Sequence, residues 1–324
     1  MKPLVTVIIT AFNEEDNIGR CIDSLLNQDF DEMEILVVDD GSNDKTSDIV
    51  ESYVRTNPGK VRLIKFLRNF GLGNARNIGA LNANGEILVF LDADMAFPRD
   101  FIRRLVAPIF NGSCVATCYE YEVIANTDNP WVKVQGQNIR GFLNASSTWA
   151  IRAIKRDVFL QHGGFDARYG YFDDTSFHEK TGIRSVVVKG TYIYHYNPSN
   201  VREIFRKSYW IGLSLRARYS RDKVELTKIL LKRLFDLSPL ICACLTVFGA
   251  LFVALELFLL SSFMVVSFRM RVLKASSLKE KLLLRVFYAP VYRWVKSLGI
   301  WLGFLRSLTG KEYVNMPLKS ELQV

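Results

Sequence analysis

The stretch Leu88–Phe97, LVFLDADMAF, joins an apolar run to two aspartates, Asp92 and Asp94, which a single alanine separates. The run is typical of a buried strand, and a carboxylate at its end needs a cation or hydrogen-bond donors, because an unpaired buried charge is costly. Two carboxylates at this spacing on a turning chain can hold one Mg²⁺ or Mn²⁺ ion, since these cations prefer oxygen ligands. The alternative is that Asp92 caps the following helix and Asp94 is solvated.

The first hundred residues alternate between apolar runs and amphipathic segments. The apolar runs predict four strands, and apolar residues at helical spacing predict a helix after each of the first three strands. The strands are predicted at 5–10, 34–38, 61–66 and 86–91, and the helices at 17–26, 45–54 and 74–82. This alternation indicates an α/β protein with a mostly parallel sheet that helices cover on both faces.

Polar clusters follow each of the four predicted strands. AFNEE (11–15) follows the first strand, VDDGS (38–42) the second, RNFGLGNARN (68–77) the third and LDAD (91–94) the fourth. In an open parallel sheet the carboxyl ends of the strands lie along one edge, where ligands bind. The sequence therefore predicts one site for a cation and a phosphate-bearing ligand, in which the cation stabilises the charge on a departing diphosphate.

Several of these residues suggest contacts with a nucleotide. Asp39 or Asp40 can accept a hydrogen bond from a nucleobase edge, although an ordinary aspartate-rich turn is the alternative. Gly71 and Gly73 predict a tight turn that opens a helix, with Arg76 directed at phosphate or, alternatively, lying on the helix surface. Arg76 stands where a dinucleotide-binding fingerprint needs its third glycine, so the pattern argues against a Rossmann site.

The four clusters, in this order and spacing, resemble family 2 glycosyltransferases, an inverting class with the GT-A fold, over residues 5–198. The resemblance implies a UDP- or GDP-sugar donor whose diphosphate is held by a divalent cation, Mn²⁺ or Mg²⁺, on Asp92 and Asp94. The residues that it implies for the nucleotide-sugar site are Ala11, Asn13, Glu14, Asp39, Asp40, Arg76 and Asp92.

The same resemblance extends to the residues expected to face the acceptor, the molecule that receives the sugar. A GGFD turn, Gly163–Asp166, is followed by YFDD, Tyr171–Asp174, which implies that Asp174 is the general base; Ser176 stands where the family usually has another aspartate. The alternative role for Asp174 is a helix N-cap. His195, in YIYHYNP, stands where many relatives place a histidine near the metal, and a packed structural histidine is the alternative.

The chemistry of the acceptor decides whether a base is needed. Asp174 suits a hydroxyl acceptor, which we expect to belong to a lipid-linked glycan. A polyprenyl phosphate needs no base, but enzymes resembling dolichol-phosphate mannose synthase usually have a Ser-His-Pro-Pro-like run where this chain has Met95–Pro98. A nucleotidyltransferase and a non-catalytic sugar-nucleotide binder are further alternatives. The acidic AFNEE cluster argues against the first, and the complete set of carboxylates against the second.

The C-terminal third differs from the rest in charge and hydropathy. The whole chain has a net charge of +9, and residues 201–324 hold 21 Lys+Arg against 8 Asp+Glu, which is +13. Residues 237–268 include one charged residue, Glu256, and residues 282–305 mix aromatic and basic residues. These compositions predict a membrane-embedded segment and an interfacial amphipathic helix, respectively. Apolar and aromatic content favours membrane lipid over nucleic acid as the partner of this region.

The resemblance and the change in composition together predict the domain organisation. A GT-A catalytic domain over 1–221 comprises a nucleotide-sugar half, about 1–111, and an acceptor half, about 112–200. A membrane-associated C-terminal region over 222–324 follows it.

Basic residues flank the apolar segment 237–268 on both sides, and the positive-inside rule favours a cytoplasmic location for both flanks. A re-entrant hairpin that bends at Gly249, or at Ser261 and Ser262, satisfies this rule; a single span and a buried hairpin of a soluble domain are the alternatives. The five cysteines lack disulfide-framework or zinc spacing, and the first residues lack a cleavable signal pattern. We therefore expect the catalytic domain at the cytoplasmic face of the cell membrane.

Overall fold

The structure is a computed structural model that describes residues 4–136, 138–245, 250–269, 272, 275, 277–309 and 321–323. Two compact units divide the chain. The first comprises Met1–Ala125, Ile139–Tyr196 and Tyr313–Val324, and the second comprises Asn126–Asn138 and Asn197–Glu312. The helix that begins at residue 201 packs within the second unit, and the predicted domain boundary at residue 221 stays a prediction.

Four parallel strands form the centre of the sheet in the first unit, as the apolar runs predict. They are β1 Val5–Ala11, β2 Met33–Asp39, β3 Val61–Phe66 and β4 Ile87–Asp92, in the spatial order β3-β2-β1-β4. Val7 and Ile9 of β1 face one hydrophobic core, whereas Ile8 faces a second core on the other side of the sheet. The predicted α/β fold with a sheet covered on both faces is confirmed.

The other half of the sheet mixes parallel and antiparallel pairs. Beyond β4 the order continues with β9 Ala153–Lys155, β6 Ala116–Ile124, β10 Ser185–His195 and β5 Met95–Ala96. Only β6 and β10 pair in parallel among these described strands. Short strands complete the margins: β7 Ile139–Gly141 on β6, β8 Ser147–Thr148 on β10, and β11 Leu322–Gln323 on β3.

Amphipathic helices cover the sheet of the first unit. Ile18, Cys21, Ile22 and Leu25, at helical spacing, form the buried face of the first helix. The helices of this unit are α1 Ile18–Leu26, α2 Thr46–Thr56, α3 Leu72–Asn82, α4 Phe101–Phe110, α6 Arg156–Gln161 and α7 Asp173–Thr181. Their order and approximate bounds in the first hundred residues agree with the sequence periodicity.

The second unit is helical. Its helices are α5 Pro130–Lys133, α8 Val201–Arg218, α9 Lys223–Leu245, α10 Ala250–Phe268, α11 Leu278–Leu283 and α12 Ala289–Ser307, with a π-helical turn, Leu284–Tyr288, before α12. The predicted apolar segment 237–268 corresponds to the end of α9 and to α10.

The predicted bend points in that segment have different outcomes. Gly249 lies outside the described residues. Ser261 and Ser262 lie within the continuous helix α10, so the predicted bend at this pair is wrong. Among the helices of the described residues, none combines the length and the apolar composition needed to cross a bilayer.

Candidate active site

The carboxyl ends of β1, β2 and β4 lie side by side in the first unit. Strand pairing places Ala11 opposite Asp39, and Thr10 opposite Asp92. The predicted site residues Ala11, Asp39 and Asp92 are therefore neighbours, although they are far apart in the chain, because each ends a parallel strand.

The loop after β1 is joined to the loop after β2 by hydrogen bonds. Asn13, with a positive φ of 55°, donates its backbone N–H to Ser42 Oγ at 2.8 Å, and its side-chain oxygen accepts from the Asn43 N–H at 2.8 Å. The Glu14 N–H donates to Thr46 Oγ1 at 2.8 Å. These contacts place the predicted residues Asn13 and Glu14 beside the VDDGS turn.

The two aspartates of VDDGS already hold other parts of the protein. Asp39 is fully buried and accepts from the Ser42 N–H at 3.0 Å and from the Ser47 hydroxyl. Asp40 accepts from the N–H groups of Phe70 and Gly71 at 2.6 and 2.9 Å. Burial raises the pKa of Asp40 to about 7, against the lowering effect of these two hydrogen bonds. Asp40 thus holds the turn that opens α3.

Arg76 is buried and joins two carboxylates. Its Nη2 donates to Asp92 Oδ1 at 2.6 Å, and its Nη1 lies 2.8 Å from both oxygens of Asp173. Burial raises the pKa of Asp92, but the charges of Arg76 and Arg152 outweigh it and hold that pKa below its usual value. Both terminal nitrogens of Arg76 contact carboxylates, and the predicted contact of Arg76 with phosphate stays a prediction.

Other residues of α3 hold the turn that contains GGFD. The Asn77 side chain donates to the Phe165 carbonyl and accepts from the Phe165 N–H, both at 2.9 Å. A Cβ added at Gly73 would meet the Ala167 backbone at 3.0 Å, so this glycine permits a close approach of the two segments. The GNARN pattern therefore positions the acceptor-side segment against the strand ends.

The acidic pair Asp173 and Asp174 begins α7 and is buried. Burial raises the pKa of Asp173 to about 6, opposed by the charge of Arg76 and reinforced by Asp174 and Asp92. Asp174 Oδ2 accepts from Arg152 Nη1 at 2.9 Å. Ser176, where the family pattern has an aspartate, donates its hydroxyl to the Asp173 carbonyl at 2.6 Å.

His195 lies at the end of β10, opposite Met95 of β5. Its Nε2 lies 3.2 Å from Asp94 Oδ2, and its Nδ1 lies 3.3 Å from Glu122 Oε2 and 2.9 Å from Arg140 Nη2. Burial raises the pKa of Glu122, but the charges of His195 and Arg140 and a hydrogen bond from Tyr119 hold it below its usual value.

The three predicted metal ligands are not assembled around one point. Asp92 turns to Arg76, whereas Asp94 lies beside His195. Within the part of the chain that the structure describes, no group of three or more histidine, cysteine, aspartate or glutamate side chains forms a preformed metal site.

Three charged residues of this site were not predicted from the sequence: Arg152, Glu122 and Arg140. Arg152 interrupts an apolar run, WAIRAI, and an isolated arginine in such a run indicates a buried ion pair. Glu122 and Arg140 lie on the paired strands β6 and β7 and have no comparable local pattern. Their positions depend on strand pairing between distant segments.

A parallel sheet that continues into a mixed half, with carboxylates at the strand ends beside a buried acidic pair, defines a GT-A type glycosyltransferase fold. Residues 6–169 match the family model described as Glycosyl transferase family 2, and because this match covers half of the chain, the chain belongs to that family.

Curated relatives match part of the chain. An uncharacterized glycosyltransferase, alr2836, of Nostoc sp. is 33% identical over 124 residues, which cover 38% of each chain. The putative teichuronic acid biosynthesis glycosyltransferase TuaG of Bacillus subtilis is 30% identical over 129 residues, which cover 40% of this chain and 51% of the relative. The chain thus spans about half, or less, of the length of these relatives.

A solved structure matches the whole chain at low identity. The crystal structure of residues 1–349 of S. aureus TarS in complex with UDP-GlcNAc has a TM-score of 0.54 and 19% identity, covering 100% of this chain and 96% of the other. At this identity the likeness demonstrates the shared fold.

Proposed function

We propose that this chain is an inverting glycosyltransferase that moves a sugar from a UDP- or GDP-sugar to a hydroxyl group of a lipid-linked glycan. The observation that carries the proposal is the bridge made by Arg76 between Asp92, at the strand end expected to face the donor, and Asp173, next to the expected base Asp174. The names of the relatives, which include a succinoglycan biosynthesis protein, ExoO, support a glycan product.

The proposed reaction is a single in-line displacement. Asp174 takes the proton of the acceptor hydroxyl, and the hydroxyl oxygen forms a bond to the anomeric carbon on the face opposite the leaving group. The bond from that carbon to the diphosphate breaks, and the nucleoside diphosphate leaves with the electron pair. A positioned base contributes about 10²–10⁴-fold, and the positioning of donor and acceptor contributes more.

Arg152 and Arg76 give the two aspartates of the acidic pair different surroundings. Arg152 donates one hydrogen bond to Asp174, which has side-chain exposure of 10%, whereas Arg76 engages both oxygens of Asp173, which has exposure of 2%. Asp174 is therefore the better placed of the two to reach an acceptor, and Asp173 serves to hold Arg76 in place.

The residues around Asp94 fit a divalent cation. Two ligands on adjacent corners of an octahedral Mg²⁺ site, each about 2.1 Å from the ion, are about 3 Å apart. Asp94 Oδ2 and His195 Nε2 are 3.2 Å apart, and one carboxylate with one imidazole is a donor set that Mn²⁺ accepts. Asp94 and His195 would hold the ion, with Asp92 two residues away. Such an ion neutralises the charge on a diphosphate leaving group.

A location at the cytoplasmic face of the cell membrane is part of the proposal. The net charge of +13 over residues 201–324 and the apolar stretch 237–268 support it, since anionic lipid attracts basic segments and apolar helices leave water.

The proposal is tested by incubating the full chain and Mn²⁺ with a panel of UDP-, GDP- and dTDP-sugars, and measuring release of the nucleoside diphosphate. Active donors are then offered with lipid-linked glycans, and NMR assigns the anomeric configuration of the product. Asp92→Asn, which lacks the carboxylate expected to face the donor, serves as the control with reduced turnover. A product of inverted configuration supports the proposal, whereas turnover of none of the donors, or retention of configuration, contradicts it.

A further inference from the structure

The second unit buries several polar side chains and exposes many large apolar ones. Its buried polar side chains, among the described residues, are Asn197, Ser208, Ser214, Asp236, Ser267, Arg293, Ser297 and Ser307. The large apolar side chains that it exposes on α9, α10 and α11 include Leu231, Leu234, Phe235, Leu240, Leu255, Leu257, Phe258, Val265, Leu278 and Leu282. Soluble helices bury their apolar face and expose the polar one, so water is not the solvent that this surface fits.

The buried charges of Arg293 and Asp236 are satisfied by contacts within the unit. Arg293 forms an ion pair with Asp236 and donates to the Phe263 carbonyl at 3.1 Å and to Ser267 Oγ at 2.9 Å. The Ser297 hydroxyl donates to Asp236 Oδ2 at 2.9 Å. A paired and hydrogen-bonded charge can remain away from water, whereas an unpaired one is strongly disfavoured.

Small residues bring α8 and α12 together. A Cβ added at Gly212 of α8 would meet the Ile300 carbonyl oxygen at 2.2 Å, and one added at Gly303 of α12 would meet the Tyr209 carbonyl oxygen at 2.0 Å. Gly299 and Gly303 are four residues apart, the GxxxG spacing that permits close helix packing in membranes. Helices in lipid use such packing because exclusion of apolar side chains from water cannot drive their association.

Charge complementarity identifies the occupant of the apolar surface. Lys223, Lys228 and Lys232 lie along the first half of α9, and Arg269 and Lys279 follow α10. Helices α9 and α10 pack against each other, and basic residues lie toward the N-terminal end of α9 and after the C-terminal end of α10. Each basic residue close to an anionic lipid surface strengthens membrane binding about fivefold.

We propose that the exposed apolar face of α9, α10 and α11 inserts into one leaflet of an anionic bilayer, with both ends of the α9–α10 pair at the same membrane surface. The inference deepens the proposed function, because it assigns the membrane contact to a defined surface. It does not depend on the proposed chemistry, and its tests need no substrate.

The first test measures co-sedimentation of the full chain with phosphatidylcholine vesicles that contain or lack phosphatidylglycerol. We expect binding to the anionic vesicles, and a loss of about tenfold or more in Leu257→Glu/Phe258→Glu, because burying a carboxylate in lipid is costly. Leu67→Glu, at a leucine of similar exposure in the first unit, is the matched control and retains binding. Equal binding of the double variant overturns the proposal. A second outcome also overturns it: the parent is a dimer, the double variant is a monomer, and vesicle binding persists. In that case a second copy of the chain, and not lipid, covers the apolar face.

The second test labels Arg221→Cys, before α9, and Ala275→Cys, after α10, with a membrane-impermeant maleimide in sealed cells. The parent chain is the control for its native cysteines. We expect neither site to react until the cells are permeabilised. Reaction at one site alone overturns the placement of both ends at one surface. Reaction at both sites supports that placement but contradicts the cytoplasmic location within the proposed function.

Discussion

Arg76 and Asp173 lie 97 positions apart in the chain, yet Nη1 of the arginine lies 2.8 Å from both carboxylate oxygens of the aspartate. The same guanidinium holds Asp92 through Nη2. The contact therefore links the end of β4 to the start of α7 through one guanidinium that Asp92 and Asp173 share.

Arg76→Met is expected to lower both stability and transfer. Removing one partner of a buried ion pair costs about 3–5 kcal/mol, because Asp173 remains buried without its counter-ion. Misplacement of Asp92 and Asp174 is expected to reduce transfer about 100-fold or more. Thermal melting and initial rates measure the two effects.

The double variant Arg76→Met/Asp173→Asn separates these effects. It removes the charge of Asp173, the more buried of the two carboxylates that Arg76 holds, and leaves Asp92, whose side chain is 31% exposed, so we expect melting to recover in part while transfer stays low. Arg62→Met, which breaks the partly buried ion pair with Glu34 away from the site, is the control for stability loss alone. Full recovery of transfer in the double variant would contradict a positioning role for Arg76.

Asp174→Asn tests the nature of the acceptor. With a hydroxyl acceptor, we expect transfer to fall by about 10²–10⁴-fold, while binding of the donor changes little. Initial rates with saturating donor measure the effect on transfer, and calorimetry measures the effect on donor binding. Asp166→Asn, in the same segment but in an exposed pair with Arg168, is the matched control. Unimpaired transfer by Asp174→Asn would indicate an acceptor that is already anionic, such as a polyprenyl phosphate.

The order of elements in the first hundred residues was predictable, because alternation of apolar runs and helical spacing is a local property. The meeting of Ala11, Asp39 and Asp92 was equally predictable, since parallel strands end at one edge. The partners of these residues were not. Arg152 reaches Asp174 only through the antiparallel placement of β9 beside β4, and strand order is not a local property.

The assignment of α8 to the helical unit was also beyond local patterns. This helix, Val201–Arg218, has basic residues in its last turn, Arg216 and Arg218. Its grouping with α12 depends on Gly212 and Gly303, which permit backbone contact between segments about ninety residues apart in the chain. A single glycine in a helix does not indicate its partner, so the predicted boundary at residue 221 followed composition instead.

Cation binding is expected to depend on Asp94 and His195. Because their facing atoms are 3.2 Å apart, we expect Asp94→Asn and His195→Gln each to weaken Mn²⁺ binding about tenfold or more. The EPR signal of free Mn²⁺ measures binding directly, without reference to transfer. Asp100→Asn, at an exposed carboxylate paired with Arg104, is the control and retains binding. Equal Mn²⁺ affinity in all three variants would exclude this pair as the ion site.

Asp40 is expected to make the first unit less stable as pH rises from about 4 to about 7. The pKa of this buried carboxyl is about 7 in the folded chain, above its value of about 4 in an unfolded one, so the folded state binds the additional proton across this window. Its stabilising contribution is complete below pH 4 and is lost as the group ionises. Asp40→Asn cannot ionise. The melting temperature of this variant minus that of the parent should therefore increase by several degrees from pH 5 to pH 8. Differential scanning fluorimetry of both proteins across this range measures the difference, and parallel curves would show that Asp40 does not titrate there.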